Sequence, residues 1–143
     1  MTSRLPPPTH PADPDVGHRT LIRWRLLSAA ALLVMGGIHL YLVINGMGGV
    51  LGVLFVLNAV GALGLAIAVL VLRGGLLLLA TVLSLVFMVG TLLALIVALT
   101  VGLFGIHEVV SGELVTTTLV VESIGTIILA ATVALVSRSR RAT

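Results

Sequence analysis

The chain contains no cysteine and no lysine. Without cysteine it has no disulfide, no thiolate metal site and no thiol redox chemistry. Only 9% of its residues are charged, against about a quarter in a typical soluble domain. Aromatics are equally sparse: Trp24, Tyr41, Phe55, Phe87 and Phe104 are all there are. Eight arginines raise the isoelectric point. They flank apolar stretches, however, and do not form a basic surface interleaved with stacking rings, so nucleic acid is not an expected partner. The signatures of common catalytic sites are also missing. His107-Glu108-Val109-Val110-Ser111 lacks the second histidine of a zinc-protease helix, and there is no GxSxG or P-loop.

Apolar residues make up 59% of the chain. They fall into four stretches, at about 26–45, 50–72, 76–104 and 114–136. Each reaches the roughly 20 residues that a helix needs to cross the hydrocarbon core. None carries the polar stripe of a soluble core helix. The expected fold is all-α: an integral membrane four-helix bundle whose first partner is the lipid bilayer. The first stretch follows Arg23-Trp24-Arg25 like a signal peptide, yet it is longer than a usual signal core and no small-residue cleavage site follows, so it reads as a retained span.

Between Leu26 and Val136 the only arginine is Arg73. Basic residues beside span ends favour the cytoplasmic face. Arg19, Arg23 and Arg25 precede the first span, Arg73 lies between the second and third, and Arg138, Arg140 and Arg141 follow the fourth. Four crossings put all of these on one side, whereas 45–50 and 105–113 have no arginine, and the latter holds Glu108 and Glu113. The expected arrangement is up-down-up-down in the plasma (inner) membrane with both termini cytoplasmic. All five prolines lie in the first 18 residues, so residues 1–25 read as a disordered Pro-rich tail. Residues 26–137 form the bundle, and 138–143 a basic tail.

In lipid, helices approach closely where small residues recur at four-residue spacing. Such rows are Gly90, Ala94, Ala98 and Gly102 in the third span, Gly64 and Ala68 in the second, and Thr126, Ala130 and Ala134 in the fourth; the first has Gly36. About 33 uncharged residues run from Gly74 to Ile106. As one helix, at about 1.5 Å per residue, they exceed the bilayer core and predict tilt, a bend or projection.

An internal repeat is suggested by Gly37-Ile38-His39 and Gly105-Ile106-His107. Each precedes a turn, and the spans that follow contain Asn58-Ala59-Val60-Gly61 and Glu122-Ser123-Ile124-Gly125. This order describes two parallel-repeat hairpins, which would relate His39 to His107 and Asn58 to Glu122.

Glu122 is the most unusual residue, an acid inside a span, and such a residue marks a functional site by default. His39 and Asn58 lie at comparable depth, so the three form a candidate intramembrane polar cluster. One reading is interhelical hydrogen bonding, worth roughly 0.6–2 kcal/mol per contact. A second is a small proton or cation transporter using Glu122 and His39. A third is a haem or metal site with His39 and His107 as ligands. With its mass in the membrane and its loops short, the chain reads first as a non-enzymatic accessory subunit or interaction protein of a larger membrane complex or homo-oligomer, needing no cofactor.

The absence of native cysteine makes the topology directly measurable. A thiol introduced as Asn45→Cys should react with a membrane-impermeant maleimide in intact cells. One introduced as Ser139→Cys should react only after permeabilisation, and the reverse pattern would refute the charge argument.

Overall fold

The computed structural model describes residues 14–101 and 113–141. Four helices make up these residues: α1 (Pro14–Ile44), α2 (Gly49–Val71), α3 (Gly74–Thr100) and α4 (Glu113–Arg141). All four are long and apolar enough to cross a membrane, with mean hydropathy between 2.1 and 2.8. Outward-facing side chains such as Ile44, Val71, Val101 and Ile127 are two-thirds exposed or more, as expected of a surface that meets hydrocarbon and not water.

The boundaries differ from the sequence expectation at three places. Helix α1 begins at Pro14, so residues 14–25, expected to belong to a disordered tail, are helical. A proline is compatible with a helix start because its missing N–H has no partner there in any case. Helix α4 continues through the arginines to Arg141, where their charge complements the negative end of the helix dipole. Helix α3 passes Gly90 unbroken and ends at Thr100. At about 1.5 Å per residue it still spans about 40 Å. The remainder of the expected tail, residues 1–13, and the stretch 102–112 lie outside the described residues.

The helices form a ring. Each packs on its sequence neighbours, α4 closes onto α1, and the diagonal pairs hardly touch. The α1–α2 interface is the most extensive and α2–α3 the sparsest. The turn after α1 follows from Asn45-Gly46. Gly46 adopts φ +104°, while Gly46 N–H donates to the Val43 carbonyl and Met47 N–H to the Leu42 carbonyl. This pair of bonds satisfies the last carbonyls of the helix, and a left-handed glycine makes it possible.

Not every small residue serves close packing. A Cβ on Gly36 would lie 2.9 Å from the Ala62 Cβ and 3.4 Å from the Ala59 Cα, so α1 and α2 touch almost backbone to backbone. Gly125 of α4 seats the end of Met88, and Gly61 of α2 seats the ring of Phe87. Gly64 and Gly90, by contrast, have nothing within 4 Å of an added Cβ. The row on α3 was expected to bring a neighbouring helix close. Gly90, Ala94 and Ala98 instead line a cavity.

The core below that cavity holds Ala29, Leu32, Met35, Ala62, Ala66, Met88 and Leu129. Two polar links tie it together. Ser28 and Thr132 share a buried hydrogen bond of 2.8 Å between α1 and α4. Arg25 of α1 reaches across to the end of α2. Its Nε donates to the Val69 carbonyl at 2.9 Å, and one Nη donates to the carbonyls of Leu70 and Leu72 at 2.7 and 2.9 Å. Those carbonyls are the ones a helix end leaves without partners, and a cation there also meets the dipole. Arg140 approaches Gly75 at the same end of the bundle, so Arg25, Arg73 and Arg140 gather at one pole.

Two stability measurements on purified protein follow. Gly36→Ala should cost about 1–3 kcal/mol, because the neighbour it meets is backbone and methyl, whereas Gly64→Ala should be neutral or slightly stabilising. Arg25→Ala should lower stability by about 1–3 kcal/mol, and Arg25→Lys should restore only part of it, since an ammonium lacks the planar fork that spans three carbonyls.

Candidate functional site

Helix α1 places His39 on the face it turns to α2. Met35, one turn earlier on that face, is fully buried, and His39 itself is nearly so. The His39 Nδ1–H donates to the Met35 carbonyl at 2.9 Å. Its ring stands edge-on to Phe55 of α2, with centroids 4.8 Å apart and planes at 85°. Asn58 follows Phe55 by three residues, so both side chains lie on the inner face of α2. Helix α4 contributes Thr118 and, one turn later, Glu122. Helix α3 contributes Thr91.

These side chains converge. His39, Asn58, Thr91, Thr118 and Glu122 all line a single cavity of about 440 Å³, with Phe55, Phe87 and several leucines completing its walls. All four helices contribute to it. It lies in the half of the bundle away from the arginine pole, above the Met35 and Met88 side chains. Among its lining residues Leu54, Leu57, Gly90 and Ala94 are exposed, which marks its open side along the sparse α2–α3 seam. The volume and the mostly apolar lining are those of a small-molecule site.

The three residues expected to cluster, His39, Asn58 and Glu122, are thus brought to one space. His107, expected as the second ligand of a haem or metal, lies outside the described residues, as do the second Gly-Ile-His and Glu108. Among the described residues no group of three or more metal-ligating side chains is found. Gly61 of α2 and Gly125 of α4 close against α3, at Phe87 and Met88.

Glu122 and Asn58 differ from the other polar residues of the cavity in their hydrogen bonding. The Glu122 side chain is fully buried, yet neither carboxyl oxygen has a hydrogen-bond partner among the described residues. The Thr91 hydroxyl faces it from α3, but that proton goes to the Met88 carbonyl at 2.8 Å, with the Met35 sulfur at 3.4 Å. Thr118 donates to the Leu114 carbonyl at 2.7 Å. The Asn58 Oδ1 is likewise buried without a partner. Sequence reasoning singled out Glu122, His39 and Asn58 but missed Thr91, Phe55 and Phe87. Thr91 sits one residue beyond Gly90, and only the helical phase relative to Met88 marks it as inward-facing.

Neither a family model, nor a curated protein, nor a solved structure matches the chain. The site is therefore interpreted from its own chemistry.

That chemistry yields a stability test. A buried polar group without a partner destabilises the fold, and an apolar residue of similar shape relieves the cost, by about 1–3 kcal/mol. Glu122→Leu should accordingly raise the melting temperature of the purified protein. If it instead falls as far as for Ser28→Ala, the carboxyl is a structural hydrogen-bonding member of the bundle.

Proposed function

We propose that this chain is a non-enzymatic four-span membrane protein that binds a small molecule in the cavity between its helices. The carrying observation is Glu122, a fully buried carboxyl at the wall of a cavity of about 440 Å³, faced by the Thr91 hydroxyl but with neither oxygen in hydrogen-bond geometry with a partner among the described residues. A side chain that only tied helices together would have a partner on a neighbouring helix, as Ser28 has in Thr132.

The setting is the plasma (inner) membrane, up-down-up-down, with the arginine pole cytoplasmic and the cavity in the outer half. Contacts that run in opposite senses along adjacent helices support this topology. Arg25 meets the end of α2 while Gly36 meets its middle; on α4, Ser28 meets Thr132 and Ala31 meets Gly125. The binding unit would serve as an accessory subunit, responding to its ligand in a larger assembly or as a homo-oligomer.

Transfer of a proton or small cation through Glu122 and His39 needs continuity through the inner half. That half is filled by Leu32, Met35, Met88 and Leu129, all fully buried. The hydroxyls of Thr81, Ser84 and Thr132 donate to carbonyls of their own helices at 2.8–3.0 Å, and so do not form a chain. This filling supports a binding site with access from one side over a relay. A haem or metal held by His39 and His107 would still need further ligands or a porphyrin-sized slot.

The test is ligand-induced stabilisation, which any molecule binding the folded state produces. In lipid nanodiscs, 2-phenylethanol should raise the melting temperature of the wild-type protein and leave that of Ala94→Phe, which fills the cavity from α3, unmoved. Equal shifts in the two proteins would refute the cavity as the place where the alcohol binds.

A further inference from the structure

The polar atoms left unsatisfied in the cavity have a common character: they accept hydrogen bonds. Both oxygens of Glu122 and the Asn58 Oδ1 have no partner among the described residues. A carbonyl can only accept, so His39 must donate from Nδ1 to Met35. In the neutral imidazole, Nε2 then presents a lone pair. The hydroxyl protons of Thr91 and Thr118 are directed to carbonyls of their own helices, which leaves only their lone pairs toward the cavity.

Among the described residues no positive side chain lines the cavity to balance this set. The chain has no lysine, and none of the lining residues is an arginine. A carboxylate taken out of water without a cation is costly, so the partner that completes this site is a donor and a cation. An inorganic divalent ion is a poor fit: magnesium and calcium demand six or more oxygen ligands, zinc needs three or four His, Cys or carboxylate ligands, and among the described residues no group of three such side chains is found. The volume calls for an organic body, and the faces of Phe55 and Phe87 are themselves attractive to an ammonium group. A quinone or another carbonyl compound would meet one amide donor, the Asn58 Nδ2, and leave the Glu122 carboxylate without a donor, and an anion would be repelled by Glu122.

We propose that the cavity binds a lipophilic primary amine in its protonated form. The three N–H donors of the ammonium match three acceptor groups, the Glu122 carboxylate, the Asn58 Oδ1 and the His39 Nε2, while the apolar body lies against Leu51, Leu54 and Leu95. This assignment rests on the reading of the cavity as a binding site and adds the class of ligand to it.

The experiment uses the full chain in lipid nanodiscs, with empty nanodiscs subtracted, and three probes of one shape: 2-phenylethylamine, neutral 2-phenylethanol and anionic 3-phenylpropionate. Calorimetric titration should show the amine binding about tenfold to a hundredfold tighter than the alcohol, the range of one charge-assisted hydrogen bond. Glu122→Gln should bring the amine down to the affinity of the alcohol. Asn58→Leu should weaken the amine by a smaller factor, and the melting temperature of each variant reports that it is folded. Equal affinity for amine and alcohol, an amine preference that survives both substitutions, or displacement of the amine by equimolar potassium would overturn the ligand assignment while leaving the cavity a binding site. Failure of all three probes to bind would overturn the binding-site reading itself.

Discussion

Helices in hydrocarbon gain nothing from hiding apolar surface from one another, because lipid tails are as apolar as leucine. What holds this bundle is therefore the closeness that α1 and α2 reach at Gly36, and the few hydrogen bonds that cross between helices. The Gly36 approach to Ala62 and Ala59 sets the distance of the most extensive interface in the protein. The reach of Arg25 to the last carbonyls of α2 sets its register. With those two fixed, His39 is carried to Phe55 and Asn58, and the α1 face opposite Gly125 is ready to receive α4.

The cavity is the complement of the same constraint. Where α3 offers Gly90, Ala94 and Ala98, none of the described helices fills the space, and Leu51, Leu54 and Leu57 of α2 line it. Small residues in a membrane helix thus have two opposite outcomes. Facing a neighbour already drawn near, as at Gly36, they permit contact; facing one held off by larger side chains, they leave a void. The ring of Phe87 against Gly61 is the kind of bulk that holds α2 and α3 apart.

Much of this was legible in the residues. Apolar runs of sufficient length produced the four spans, and Glu122 stood out because an acid at that depth is costly. Its meeting with His39 and Asn58 followed from depth alone, since helices of known rise place residues at comparable levels. The rest was hidden for identifiable reasons. Arg25 counted in the sequence only as a charge near a span end, and its fork across the α2 carbonyls depends on the pitch of one helix against another. The extension of α1 back to Pro14 lies in a segment with no apolar periodicity to signal it. The row on α3 has the spacing of a packing face, and spacing carries no information about what stands opposite. Thr91, Phe55 and Phe87 became site residues only once the helical phases were known.

The sparse seam between α2 and α3 bears on how the protein would behave mechanically. Three sides of the ring are closed by extensive helix–helix contact, and along the fourth, the α2–α3 seam, lies the mouth of the cavity. An occupant there would act as a wedge under load, transmitting tilt from α2 to α3 across a gap that the chain does not bridge. Such an occupant would change the stiffness of one wall more than the shape of the whole.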